Sequence, residues 1–284
     1  MPPAQLPISV ITDEISPVLD EAIAFAVEEG LTAVDLRGVD GVNFMTLSPE
    51  AMRDAARRIR AAGLRVGCLA SPLLKWPGPG QPFVLTGDQF GFDPRVRGIE
   101  DAYDTAFRAA EVLEAPHVRI FSYLIYAGYA LPDLRPMLDH LLAMAEREGR
   151  TLVVENEHVC NVATVADLAG ILADYRHPRL RGVLDVANAY AFGTPPSAAD
   201  IARVAPFVDI VHLKDYDPAR RRFVALGAGV IPFADLLDPI YRSPSGPRPP
   251  LVVETHVPEN RMAATRASLA AARVLATRLA GSIA

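Results

Sequence analysis

Thr151-Leu-Val-Val-Glu155, Gly182-Val-Leu-Asp185, Asp209-Ile-Val-His212 and Pro250-Leu-Val-Val-Glu254 are four short apolar runs, each closing on a residue that can ligate a metal. Short runs rich in Val and Leu, without polar alternation, predict strands buried on both faces, as in parallel sheets. Each polar residue falls where the strand gives way to a loop. In a barrel of parallel strands those C-terminal ends converge on one mouth, so two Glu, one Asp and one His are expected to face a common point. Such oxygen and imidazole donors suit a divalent cation: Mn²⁺ first, with Mg²⁺, Co²⁺ or Zn²⁺ as substitutes. A single ending of this kind carries little; four in succession predict a site.

Outward from these runs, strand-like and helix-like segments alternate along the chain, the pattern of parallel βα units. Strands are expected at residues 8–11, 33–36, 65–69 and 118–121, ahead of the four quoted above. Ser16-Pro17 and Ser48-Pro49-Glu50 pair an N-capping hydroxyl with a proline at the first helical position, so helices are predicted to start there and to stop at Gly30 and Gly63. Further helices are expected over 99–113, 164–175, 198–204, 232–241 and 259–279. In the segment 131–148, Pro132 and Pro136 predict a start near Leu134 or a kinked first turn. The irregular stretch 71–95 carries the only tryptophan, Trp76, with Phe83, Phe90 and Phe92, and is expected to form a lid on the catalytic face. Eight strands and eight helices predict a single (β/α)8 TIM barrel of the α/β class spanning 1–284, with an open doubly wound sheet as the alternative. No GxGxxG fingerprint or P-loop is present.

Half of the 284 residues are hydrophobic and 22% are charged, which predicts a large core and excludes general disorder. A formal charge of −6 argues against nucleic-acid and anionic-membrane partners. Cys68 and Cys160 read as two reduced thiols. The first seven residues lack the charged and apolar regions of a signal peptide, and no apolar run approaches the ~20 residues of a membrane span. A soluble cytoplasmic protein acting on a small polyol or sugar is the expectation. Its exposed helices leave room for a homo-oligomer.

Glu155, Asp185, His212 and Glu254 are the expected metal ligands. Period-two spacing turns Lys214 the way of His212, and Glu157 and His256 the way of Glu155 and Glu254. With His158, Asn188, Arg37 and Trp76, these are the expected substrate contacts; Glu14 is a further one, and Arg119 is read as a buried ion-pair partner. Val154-Glu-Asn-Glu-His158, Leu184-Asp-Val-Ala-Asn188, Val211-His-Leu-Lys-Asp215 and Leu226-Gly-Ala-Gly229 together resemble the sugar phosphate isomerase/epimerase family. These xylose-isomerase-like barrels include inosose dehydratases and ketose 3-epimerases. The resemblance runs from Thr12-Asp-Glu-Ile15 to Val253-Glu-Thr-His256 and implies that Glu155, Asp185, His212 and Glu254 hold one divalent metal, often manganese.

What it implies about activity is an isomerase or epimerase of a sugar or cyclitol, phosphorylated or not. The reaction would pass through a metal-stabilised enediolate, with Glu155 as the base and Glu254 as its counterpart. The alternatives are a dehydratase or lyase on the same metal, of the inosose, dehydroshikimate or C-glycoside-cleaving kind, and a barrel that only binds its ligand. One position departs from the family pattern. Ketose-type members commonly carry His three residues after the metal-binding Asp, whereas Asn188 stands here, and an amide takes up no proton at neutral pH.

Overall fold

The computed structural model describes residues 6–85, 89–96, 98–242 and 248–281; residues 1–5, part of the N-terminal segment read above, and 86–88, within the long loop, lie outside it. Eight parallel strands form the sheet: β1 Ile8–Val10, β2 Ala33–Leu36, β3 Arg65–Leu73, β4 His117–Ile120, β5 Thr151–Glu155, β6 Leu180–Asp185, β7 Val208–Leu213 and β8 Leu251–Val253. Consecutive strands from β2 to β8 pair, and β8 pairs with β1. A parallel bridge between Ile11 and Asp35 brings β1 and β2 together, so the sheet closes nearly all the way round. The fold is the expected TIM barrel.

The outer layer comprises α1 Leu19–Glu28, α2 Pro49–Ala61, α3 Ile99–Val112, α4 Leu131–Glu148, α5 Val165–Tyr175, α6 Val186–Phe192, α7 Ala198–Val204, α8 Phe233–Tyr241 and α9 Arg261–Gly281. Ser48 caps α2 through its hydroxyl, as Ser48-Pro49-Glu50 predicts, and Thr164 caps α5 in the same way. Ser16 does not cap α1. Its hydroxyl accepts from the Val18 N–H and donates to Glu21, and the helix begins at Leu19, whose N–H donates to the Asp40 carboxylate at 2.9 Å. Helix α4 starts at Leu131, earlier than Pro132 and Pro136 suggest. Pro132 lies in the first turn, where its missing N–H has no intrahelical partner to lose, and Pro136 is accommodated one turn on. Strand β3 runs four residues past its expected end. Two hairpins, Gly38–Val39 with Val42–Asn43 and Asp215–Asp217 with Arg222–Val224, follow β2 and β7 at the C-terminal face.

Two apolar layers hold the barrel. The larger lies between strands and helices; the smaller fills the barrel interior with Ile11, Cys68, Ala70, Val153, Val183, Ile210 and Val252. That inner set fixes where the chemistry goes. Glu155, Asp185, His212 and Glu254 each stand two residues after one of its members, and side chains two apart share a face of the strand. Packing the interior therefore turns all four polar side chains inward, one layer above the valines and isoleucine.

The inner face of β2 also carries an acid. Asp35 is buried between Ser9, whose hydroxyl donates to it at 3.3 Å, and Gly67, where an added Cβ would meet its carboxylate at 2.8 Å. Burial raises this carboxyl from 3.8 to about 6, and the charges of His212 and His117 offset that only in part. Since the folded value lies above the unfolded one, the stability that goes with the protonated form is present below pH 3.8 and lost as pH climbs to about 6. Asp35→Asn is therefore expected to gain on the wild type across that window, levelling off at up to about 3 kcal/mol. Urea unfolding of both proteins from pH 4 to 7.5 checks it; a difference that does not change with pH would refute the buried-acid account.

Candidate metal centre and barrel mouth

Glu155, Asp185, His212 and Glu254 are all buried, and one donor atom from each lies within 4.8 Å of all the others. The strand ends thus meet as the sequence predicts. His212 Nδ1 stands 3.0 Å from Glu155 Oε1, 3.4 Å from Glu254 Oε2 and 4.0 Å from Asp185 Oδ2. Lys214 reaches into the same space, its Nζ donating to Asp185 Oδ2 at 2.5 Å and Glu254 Oε2 at 2.8 Å. Arg119, from the inner face of β4, donates to Glu155 Oε2 at 2.9 Å.

Arg37 lies on the far side of Glu254. Its guanidinium pairs with Asp13 at 3.0 Å, Glu14 at 2.5 Å and Glu254 Oε1 at 2.9 Å. Glu14, Glu254 and His256 could form a second trio of ligands, but this guanidinium already bridges Glu14 and Glu254. His256 Nε2 is 3.2 Å from Glu254 Oε1, and its backbone N–H donates to Glu14.

The electrostatics follow from that crowding. Burial pushes the Glu155 carboxyl up, but His212 and Arg119 reverse the effect and hold it low. Burial acts likewise on Glu254, and Lys214 with His256 and His212 carries it well below the usual carboxylate range. Burial raises Asp185, and the charges of Glu155 and Glu254 help it outweigh Lys214. Burial would depress His212, yet Glu155 and Glu254 lift it to about 10, so without a metal the imidazole holds a proton. Six carboxylates (Asp13, Glu14, Glu155, Glu157, Asp185, Glu254) face four permanent cations (Arg37, Lys75, Arg119, Lys214). The excess of two negative charges equals one divalent ion with His212 neutral. Three carboxylates and an imidazole, with that excess of negative charge, suit a divalent cation.

Asn188 sits in the first turn of α6. Its N–H donates to Asp185 Oδ1 at 2.8 Å and its side-chain amide donates to the Asn156 carbonyl, while its buried Oδ1 has no hydrogen-bond partner. Asn156 in turn accepts from the Asp185 N–H at 2.9 Å and so sets the Asp185 backbone. Glu157 is buried and pairs with Lys75 at 3.2 Å. Phe90, from the long loop, receives the Arg37 guanidinium at 4.3 Å and the Lys75 ammonium at 4.5 Å from its ring centroid. Phe223, from the hairpin after β7, lies 4.9 Å from Lys214 Nζ and packs on His158 and His256. These two rings roof the cluster. A cleft of about 640 Å³ opens beside Phe223 and His256. Another of about 330 Å³ lies at the opposite end of the barrel, around Arg65 and Pro116, away from the carboxylates.

Trp76 is a correction. It is buried in the main core, its ring 6.2 Å from Tyr103 of α3, and so anchors the loop that was expected to present it to substrate. Phe90 is the aromatic that reaches the mouth. Lys75, Phe90 and Phe223 were not among the expected site residues. Lys75 follows Leu74, which has a positive φ, and no local pattern marks it. Cys160 is buried and its thiol is pushed up by burial and Glu157, so it is not a reactive thiol.

Comparison with known proteins agrees with the geometry. A sequence search of curated proteins finds no match. Among solved structures, the IOLI protein with a bound zinc atom superposes with a TM-score of 0.73 at 16% identity, covering 96% of this chain and 98% of that one. A D-tagatose 3-epimerase-like protein gives 0.69 at 16% identity over 95% and 98%. The probable 3-DHS dehydratase AsbF from Bacillus anthracis gives 0.66 at 14% identity over 92% and 98%. At these identities the likeness is one of fold. The family model matches residues 23–275, a span that includes all four clustered side chains, and the chain belongs to the xylose isomerase-like TIM barrel family.

Proposed function

We propose that this chain is a divalent-metal-dependent isomerase or epimerase of a sugar or cyclitol. The observation that carries the reading is the convergence of Glu155, Asp185, His212 and Glu254 within 4.8 Å at the closed end of a roofed mouth. A divalent ion held there would polarise a substrate carbonyl and stabilise the charge that develops when the neighbouring C–H loses its proton. The chain's own residues do the rest. Arg119, Lys214 and Arg37 keep the carboxylates ionised and oriented. The bare Oδ1 of Asn188 suits a substrate hydroxyl, and the rings of Phe90 and Phe223 keep bulk water from the reacting carbon.

A dehydratase is the second reading. It shares the proposed first step, loss of the proton beside a carbonyl, and the superposed AsbF protein is described as a probable dehydratase. Bound metal without turnover of any polyol would instead mark a ligand-binding barrel.

Wild type is expected to hold one divalent ion per chain after incubation with Mn²⁺. Glu155→Gln, Asp185→Ala, His212→Ala and Glu254→Gln should each weaken that binding by more than the roughly 10–100-fold typical of losing an outer partner. Metal analysis after gel filtration checks this, and retention of metal by all four variants would dismiss the site. The loaded enzyme is also expected to wash solvent deuterium into a ketose or inosose at the carbon beside the carbonyl, read by NMR. A new ultraviolet-absorbing conjugated product in place of exchange would decide for the dehydratase.

A further inference from the structure

Solvent does not reach the cluster while the roof of the mouth is in place. The side chains of Glu155, Asp185, His212, Lys214 and Glu254 are each at most 2% exposed. A substrate oxygen meets them only if part of the roof moves aside. The roof has two pieces, and they are held differently. Phe90 is stacked by Arg37, Lys75 and Arg119, and its carbonyl accepts from the Asn43 amide at 3.2 Å. Trp76 buries the same loop in the core. This piece is fixed.

Phe223 is held more lightly. It stands on the hairpin of Asp215–Asp217 with Arg222–Val224, three residue pairs that form a sheet of their own beside the barrel. Lys214 Nζ approaches its ring at 4.9 Å, and the ring otherwise meets Tyr216, His158 and His256. The two histidines are themselves 34% and 27% exposed. Residues 218–222 are exposed, and the turn closes on itself, with Asp217 Oδ1 accepting from the Ala219 and Arg220 N–H groups. The base is pinned. The Asp215 carboxylate accepts from the N–H groups of Tyr216, Gly227 and Ile231, and the Tyr216 carbonyl accepts from Val230. Leu226 N–H donates to Ser268 Oγ of α9, and Gly229 lies so close to Asp215 that a Cβ there would collide with its carboxylate. A compact arm on a pinned base, with few buried contacts above it, is a unit that opens locally. The cleft of about 640 Å³ lies beside that arm, with Arg222, Phe223 and Val224 on one wall and His256, Val257 and Glu259 on the other. The ring separates this cleft from the cluster and has room to swing into it.

We propose that this hairpin is the gate of the barrel mouth, pivoting above the Asp215 latch, with Phe223 as its closing ring and the cleft as the route by which substrate enters. This rests on the isomerase reading above, which takes the cluster as the reacting centre. Closed, the ring covers Lys214 and keeps bulk water from the buried groups; swung outward, it joins the cleft to the cluster. Phe223 then also decides what is admitted. An apolar ring beside the polar rim of Arg222, His256 and Glu259 suits a polyol, which presents C–H faces as well as hydroxyls.

Access can be read on the full chain without turnover. Asn188 is buried beside Asp185 and both native thiols are buried, so Asn188→Cys places a reporter thiol beneath the roof. Its labelling by a small methanethiosulfonate reagent is expected to be slow, and about tenfold or more faster once Phe223→Ala is added. Phe223→Tyr, which keeps a ring, should label like the parent, and Phe90→Ala should raise the rate less than Phe223→Ala does. A Phe223→Ala rate equal to the parent's, or a larger effect from Phe90→Ala, overturns the gate. So does labelling of Cys68 or Cys160 in Phe223→Ala alone, which would mean general loosening. A second measurement dispenses with the reporter: EDTA should strip Mn²⁺ from loaded Phe223→Ala about tenfold or more faster than from wild type, and equal rates overturn the proposal. Absence of deuterium exchange in the wild type would count against the isomerase reading alone, since thiol labelling needs no reaction.

Discussion

The mouth of this barrel is built around the cost of burying carboxylates. Glu155, Asp185 and Glu254 are each removed from water at the end of an apolar strand, where an unpaired charge would cost several kcal/mol. The structure answers with cations brought from other strands. Arg119 comes from β4, Lys214 from the end of β7 and Arg37 from the end of β2, and each donates to at least one of these carboxylates. These cations do not complete the neutralisation. They leave an acidic remainder focused on the four clustered side chains.

The same crowding shapes the loops. Leu74, Phe90, Tyr123 and His256 all have positive φ without being glycine, and they lie in the segments that follow β3, β4 and β8. Such conformations cost of order 1–3 kcal/mol each and persist where surrounding contacts over-determine them. Here the contacts are visible. Phe90 is stacked by two cations, and the His256 backbone donates to Glu14, whose carboxylate Thr255 also engages at 2.8 Å. Glu14 itself is raised by burial but brought down to about 2 by Arg37. The cations that neutralise the carboxylates therefore also fix the loops that roof them, and one network serves both ends.

Legibility in the sequence follows the range of the interaction. The strands at 151–155 and 33–36 and the caps Ser48 and Thr164 are set by residues within a few positions of each other, and their bounds or roles are readable directly. The start of α1 is set by Asp40, 21 residues past Leu19, so Ser16-Pro17 misleads. The four potential ligands are readable because strand periodicity turns them inward, whatever the loops do. Lys75 pairs with Glu157 across 82 residues of sequence, and no periodicity links the two. Trp76 misleads for the opposite reason: a large aromatic in an irregular loop suggests exposure for binding, while here it is spent on anchoring the loop to α3.

That division explains why the cluster of four side chains is easier to recognise than its surroundings. The four side chains sit at strand ends, which the inner apolar layer places to within a side chain's freedom. The side chains around them, Lys75, Phe90 and Phe223, stand on loops and hairpins set by contacts distant in sequence. Asn188 shows the same dependence: it donates to the Asn156 carbonyl and ties its N–H to Asp185, while its buried Oδ1 makes no hydrogen bond among the described residues.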